Sequence, residues 1–203
     1  MSPVNATVTG VLLAAGQGSR FGGPKALIEL GGRTLAQRGV DLLRAGGADP
    51  VLVVTGAAPV SIAGTRTVHN PDWATGMGSS LRAALRFLQA DSSAPEAQAV
   101  VVTLADQPLV GPEAVARLIA AFRDGASVAV ATYDGKPRNP VLLARERWAE
   151  VAELATGDSG ARAFLRARPE LVTFIECGDV GRADDIDTPE DLARIAALDA
   201  GAS

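Results

Sequence analysis

One cysteine and one histidine, Cys177 and His69, are all that the 203-residue chain holds of either type. An intramolecular disulfide is excluded, and so is a zinc site built from Cys and His, so any metal must be held by oxygen. A basic excess is also lacking. The net charge is −4, which argues against a nucleic-acid partner. A polyanionic small ligand stays compatible if a divalent cation accompanies it. No apolar run approaches the ~18 residues of a membrane span. No cationic segment leads into an apolar core in "MSPVNATVTG", so neither a membrane partner nor a secretory signal is expected, and a cytoplasmic location follows as the default. Repeats, long low-complexity segments and linkers are missing as well. A single domain over 1–203 is expected, with "ADSSAPEAQ" (90–98) as a polar surface loop.

Short Val-rich runs are what the chain does contain. "VTGVLLAA" (8–15), "PVLVVTG" (50–56), "AVVVTLAD" (99–106) and "ASVAVATY" (126–133) are nearly uninterrupted, as in parallel strands buried on both faces. Between them, 34–47, 78–90 and 111–122 repeat apolar residues at three- and four-residue steps and read as helices. Gly46 and Gly47 suit a C-terminal stop, and Pro112 suits the first turn of the helix that Gly111 precedes. The alternation implies right-handed crossovers and an α/β fold: a three-layer, Rossmann-like, doubly wound and mostly parallel sheet. After residue 133 the rhythm changes to a turn, a short strand "PVLL", a helix, then another helix and a strand. "DDIDTPEDLARIAAL" closes the chain with a helix having Thr188 as N-cap, Pro189 at N1 and Asp191 at N3.

The glycine cluster in "VLLAAGQGSRFGGPKALIEL" (11–30) follows the first strand and admits three explanations. A dinucleotide fingerprint fails because Phe21 stands where the third glycine belongs and the second strand ends in Thr55-Gly56 instead of an acid. A P-loop fails because Pro24 separates Gly23 from Lys25, and Ala26 replaces the metal-binding hydroxyl. What remains is a strand opening into a glycine loop with two cations, Arg20 and Lys25, whose backbone donors and charges suit phosphate oxygens.

"LAAGQGSRFGGPK", beginning at Leu13, resembles the signature of nucleotidyltransferases that join a nucleoside monophosphate to a phosphorylated acceptor. With "NPDWATGMGSSLRAAL" (70–85), "LADQPLV" (104–110), "GDSGAR" (157–162) and "DIDTPEDL" (185–192), the chain is similar to the molybdopterin-type branch, and within it to the molybdenum cofactor cytidylyltransferases. The resemblance implies a nucleotide-diphospho-sugar transferase type of fold. It divides the chain into a nucleotide-binding half (about 8–110) and an acceptor-binding half (about 111–200). It implies Mg2+ and a nucleoside triphosphate, with CMP passing from CTP to the phosphate of molybdopterin and pyrophosphate leaving. The alternatives are a GTP-dependent molybdopterin guanylyltransferase, transfer to another phosphorylated acceptor such as a sugar phosphate, and a non-catalytic insertion chaperone for a client molybdoenzyme.

Carried onto this sequence, the resemblance makes Lys25 and Arg20 the phosphate-binding cations and Leu13, Ala14, Ala15, Gly16, Gly18 and Ser19 the cradle. Asp106, following "AVVVTLA", is a catalytic carboxylate and a metal ligand, or else a cap for Gln107; Asp187 is the second metal ligand. Gly76 and Gly78 would let a base approach the backbone, with Ser79 or Ser80 contacting it or capping the helix. Asn139, Asp158 and Arg162 fall in the acceptor half, and Asp158 and Arg162, four apart, could instead pair along a helix. Asn139 stands where that pattern commonly has histidine; it keeps hydrogen-bonding capacity without charge. His69 reads as a strand-end residue and Cys177 as a small buried one.

Overall fold

The computed structural model describes residues 6–90 and 97–201; residues 1–5 of the N-terminal stretch and 91–96 of the polar loop lie outside the described residues. Four strands, β1 (Val8–Leu13), β4 (Val51–Thr55), β5 (Arg66–His69) and β6 (Ala99–Leu104), form a parallel set. Between β1 and β4 lies a small hairpin, β2 (Glu29–Leu30) with β3 (Arg33–Thr34). The later strands are β7 (Val128–Tyr133), β8 (Lys136–Ala144) and β9 (Val172–Glu176), and the large sheet runs β5-β4-β1-β6-β8-β7-β9. Only β8 opposes the rest: it pairs antiparallel with both β6 and β7, while β7 and β9 are parallel. The expected mostly parallel, doubly wound sheet is what forms. "PVLL" is the inner part of a nine-residue strand.

Alternation along β1 explains the three layers. Leu12 faces a core shared with Val40 and Leu43 of α1 (Leu35–Ala45) and Leu118 of α3 (Pro112–Arg123). Val11 and Leu13 face the opposite core, with Leu81 and Leu85 of α2 (Met77–Ala90), Trp148 of α4 (Trp148–Leu154) and Phe164 of α5 (Arg162–Ala167). Strands buried on both faces are apolar at nearly every position, hence the Val-rich runs, broken only by small residues such as the buried Thr9, Thr103 and Thr132. β1, β4 and β6 end a residue or two before their runs do, so Ala14, Ala15 and Asp106 belong to the loops that follow β1 and β6.

Helix α6 (Pro189–Gly201) begins as expected: Thr188 Oγ1 accepts from Asp191 N at 3.2 Å and Thr188 N donates to Asp191 Oδ2 at 3.0 Å, a reciprocal cap. A third apolar cluster joins Ile186 and Ile195 to Leu30 and Leu35, with Phe21 of the glycine loop packed against it. Phe21, which breaks the dinucleotide fingerprint, thus ties the loop to the C-terminal segment.

The β7–β8 turn, with Asp134 and Gly135 at positive φ (52° and 72°), is bolted by Glu176. Its carboxylate accepts from Thr132 Oγ1 at 2.7 Å and from the N–H groups of Asp134, Gly135 and Gly178 at 3.1–3.2 Å. Led by the Thr132 bond, these donors hold the Glu176 carboxyl below its ordinary pKa despite an opposing desolvation. Its stabilisation is therefore present above the unfolded-state pKa and is lost as pH falls through the lower folded-state value. Glu176→Gln is expected to lower Tm at neutral pH and to flatten its fall between neutrality and about pH 3. Thermal melts across that range check this, and an unchanged acid slope contradicts it.

Candidate active site

A cleft of about 560 Å³ opens at the carboxyl edge of β1 and β6, within the size range of small-molecule sites. Open α/β sheets place their ligands at this edge. Its wall takes in Leu13, Ala14, Ala15, Gly16, Gly18, Ser19, Arg20, Lys25, Ser80, Asp106, Asp158, Arg162 and Asp187. Among the residues singled out in the sequence, Gly78, Ser79 and Asn139 are not part of that wall.

The glycine loop closes on itself at Gly18. Its carbonyl accepts from Phe21, Gly22 and Gly23 N–H at 3.0, 2.9 and 3.3 Å, and its φ of 64° is one that L side chains avoid. A Cβ at Gly18 would strike the Gly23 carbonyl and lie 3.0 Å from Lys25 Cγ. The last three N–H groups are thereby consumed. Those of Gly16 through Arg20 donate to no backbone carbonyl among the described residues; they are the donors left for a ligand.

Lys25 starts a short 3-10 turn, Lys25–Leu27, after Pro24, and its ammonium lies between two carboxylates. Nζ is 2.9 Å from Asp106 Oδ2 and 2.5 Å from Asp187 Oδ1, although the two partners are 81 and 162 residues away in sequence. Burial opposes the charge, but Asp106 and Asp187 outweigh it and hold the Lys25 pKa above its ordinary value. Arg20 Nη1 reaches Asp187 Oδ2 at 3.1 Å from a side chain 76% exposed, so that pair is readily exchanged for a ligand. Asp106 is not a cap for Gln107, because Gln107 N donates to the Leu104 carbonyl instead.

Gln107 is a residue that the sequence did not single out. It is buried, and its Nε2 donates to Asp185 Oδ1 at 2.8 Å while Ile186 N donates to the Asp106 carbonyl at 2.9 Å. These bonds clip the segment bearing Asp187 against the turn bearing Asp106. Desolvation raises the Asp185 pKa against the Gln107 bond, and the like charges of Asp106 and Asp187 raise it further.

The turn before α2 is organised by another residue that was missed. Buried Asn70 donates through Nδ2 to Ser79 Oγ at 2.8 Å and Ser80 Oγ at 3.0 Å, and its Oδ1 accepts from Asp72 N at 3.0 Å. Asn before Pro is a turn signal, but its buried partners are visible only in three dimensions. Helix α2 begins at Met77, so both serines lie inside its first turn instead of preceding it; Ser79 Oγ donates back to the Gly76 carbonyl at 2.8 Å. Trp73 and Met77, which lie in the same sequence stretch but carried no role of their own there, complete this side of the cleft.

Gly78 lies outside the cleft wall and packs against a neighbouring backbone. A Cβ there would lie 2.7 Å from the Ala155 C and O atoms and 2.8 Å from Thr156 N, and one at Gly76 would lie 2.7 Å from Asp158 Oδ1. The two glycines let segment 155–158 press against the start of α2, which brings Asp158 to the cleft. Gly78→Ala is expected to cost about 1–3 kcal/mol of stability through this overlap, with the nucleotide KM of the folded fraction unchanged. A raised KM at unchanged Tm would restore the ligand-approach role. Asp158 and Arg162 do not pair along one helix: Asp158 sits in the 3-10 turn Gly157–Ser159 and Arg162 begins α5. Asn139, on β8 two residues before Val141, lies level with the end of β6 but outside the cleft wall. His69 ends β5 on an exposed position away from the cleft, and Cys177 is fully buried.

The model of the MobA-like NTP transferase domain matches residues 10–172 of this chain. The chain belongs to that family. Two relatives of this MobA-like domain differ in what they are named for. Nicotine blue oxidoreductase of Paenarthrobacter nicotinovorans is 39% identical over 93% of this chain and 96% of its own length. The probable molybdenum cofactor guanylyltransferase of Opitutus terrae is 32% identical over 96% and 97%. Among solved structures, the homologue of Mycobacterium tuberculosis Rv0371c from Mycobacterium sp. strain JC1 superposes on the domain with a TM-score of 0.82 at 34% identity, covering 97% of this chain and 98% of that one. Rv0371c itself, solved in complex with manganese, gives 0.75 at 27% identity over 95% and 99%. No helix among the described residues is long and apolar enough to cross a membrane.

Proposed function

We propose that this MobA-like domain transfers a nucleoside monophosphate, CMP from CTP, to the phosphate of molybdopterin and releases pyrophosphate. The observation that carries the reading is the convergence of Lys25, Asp106 and Asp187 at the glycine-loop end of one cleft. The relative named a probable molybdenum cofactor guanylyltransferase supports an acceptor of the molybdenum cofactor type. The donor base is read from the motif resemblance.

Nucleotidyl transfer needs positioning and charge stabilisation more than covalent help. An oxygen of the acceptor phosphate attacks the α-phosphorus in line, a new P–O bond forms, and the bond to the β-phosphate oxygen breaks with its electrons going to pyrophosphate. The acceptor phosphate is already largely ionised at neutral pH, so no general base is required, in keeping with a cleft that has no histidine in its wall. Lys25 holds the α-phosphate as charge shifts to the leaving group, Arg20 binds the β- and γ-phosphates, and the free N–H groups from Gly16 to Arg20 orient them. Asp158 and Arg162, across the cleft, orient the acceptor.

Asp106 and Asp187 fit a divalent ion of the Mg2+ class because one oxygen of each already converges on a single cation. No group of three His, Cys, Asp or Glu is placed to hold a metal among the described residues, and Mg2+ takes few protein carboxylates alongside substrate phosphates and water. When bound, the ion would neutralise phosphate charge and polarise the α-phosphorus.

The test is incubation of the purified protein with molybdopterin and each nucleoside triphosphate in turn, with Mg2+ and then Mn2+, scored by pyrophosphate release and product mass. CTP-dependent formation of the dinucleotide is expected; a preference for GTP, or activity only with a sugar phosphate, would replace the donor or the acceptor. The 39% identity to nicotine blue oxidoreductase favours a second reading, an oxidoreductase acting on nicotine blue or a similar compound. Phe21 in place of a fingerprint glycine, and Thr55-Gly56 at the end of β4, speak against a dinucleotide site of the usual kind. Decolorisation of nicotine blue by a reduced nicotinamide donor, with no pyrophosphate formed from any triphosphate, would establish that second reading. Product loading of a client molybdoenzyme without turnover would establish the chaperone role.

A further inference from the structure

We infer that Lys25 is a built-in counter-cation of the Asp106–Asp187 pair, so that a divalent ion and the Lys25 ammonium exclude each other at this point until nucleotide phosphates draw the ammonium away. The inference rests on the nucleotidyltransferase reading, which supplies the anion. Three features of the geometry carry it. The ammonium occupies the convergence point itself, 2.9 Å from Asp106 Oδ2 and 2.5 Å from Asp187 Oδ1. A Mg2+ ion held by the same two oxygens sits at about 2.0–2.1 Å from each, so the two cations overlap in space as well as repelling one another.

The second feature is the path of the lysine. Its backbone is fixed in the 3-10 turn, while Cγ passes over Gly18, 3.0 Å from where a Cβ would stand. The stem therefore runs along the loop whose N–H groups from Gly16 to Arg20 are free of backbone partners among the described residues. The ammonium is carried on a flexible four-carbon stem, so it can leave the carboxylates without movement of the backbone turn. The third is accessibility. The Asp106 and Asp187 side chains are 24% and 33% exposed, so an incoming ion reaches them directly once the lysine has left.

Metal and triphosphate therefore bind synergistically, because each removes what opposes the other, and the effect is reciprocal. Without nucleotide Lys25 offsets half of the charge of the pair, exposed Arg20 adds to this at Asp187, and the site takes up a divalent ion poorly. This spares the carboxylates from capturing metal unproductively.

The experiment measures Mn2+ binding by water proton relaxation, which distinguishes protein-bound from free ion, for the wild-type protein, Lys25→Met, Lys25→Gln and Lys25→Arg, with and without CTP and with no acceptor present. Two neutral variants keep the comparison intact if one of them fails to fold, as checked by circular dichroism. Without CTP, the neutral variants are expected to bind Mn2+ roughly ten-fold or more tightly than wild type, in the usual range of site coupling. Lys25→Arg stays weak, and the CTP-induced gain in Mn2+ affinity seen in wild type shrinks in the neutral variants. Neutral variants that bind Mn2+ no better than wild type, while wild type binds it well with CTP, overturn the inference and leave the nucleotidyltransferase reading standing. Failure of every protein to bind Mn2+ even with CTP overturns both.

Discussion

Lys25→Ala is expected to lower kcat for pyrophosphate release by about 100- to 1,000-fold, the usual loss when one preorganised donor to developing charge is removed. The ammonium is the least exposed cation of the cleft, at 17%, against 76% for Arg20. A charge sheltered from water acts more strongly on a transferring phosphoryl group than one that solvent screens. Arg20→Ala should accordingly cost much less and act mainly on KM. Stability is a separate matter. Asp106 and Asp187 keep contact with solvent, so losing their shared cation leaves them hydrated and moves Tm by only a few degrees. Steady-state kinetics and a thermal melt on the same preparation separate the two effects, and turnover within threefold of wild type would remove Lys25 from the chemistry.

Asp106→Asn is expected to reduce kcat/KM by about 100-fold or more while leaving the fold intact. The substitution is nearly isosteric, and the backbone bond from Ile186 N to the residue 106 carbonyl, 2.9 Å long, does not depend on the side chain. The amide oxygen can still accept from Lys25, so geometry survives and charge is lost. A site that needs only an oriented lysine would tolerate this; one that needs a carboxylate for a divalent ion would not. Mn2+ affinity in the presence of CTP should fall together with kcat/KM. Full activity in Asp106→Asn would count in favour of a cofactor-carrying protein without catalysis.

The sheet was legible in the sequence where strands are buried on both faces, since such strands are apolar at nearly every position: β1, β4, β6 and β7 appear within two residues of their expected limits. Of the parallel edge strand β5 only the end at His69 was, because its four residues alternate between partly buried and exposed and form no apolar run. Nor did the pattern of "PVLL" reveal that β8 runs against its neighbours, because direction is set by the connection and not by composition. In the site, glycines and charges clustered within one loop were readable, and the resemblance linked them to Asp106 and Asp187. Partners that meet through long-range packing were not: nothing local to Gln107 announces Asp185, and nothing local to Asn70 announces two buried serine hydroxyls. Gly78 shows the converse difficulty, since a glycine kept for a ligand and one kept for a neighbouring backbone look alike until the neighbour is seen.

Transfer of label from CTP carrying a labelled α-phosphate tests the central claim most directly, using molybdopterin as acceptor with the wild-type, Lys25→Ala and Asp106→Asn proteins. The expected result is label in the pterin product in equal amount to the pyrophosphate released by wild type, and loss of both by at least about 100-fold in each variant. Unlabelled acceptor with every nucleoside triphosphate, or label transfer that survives both substitutions, would contradict the assignment of this cleft to nucleotidyl transfer.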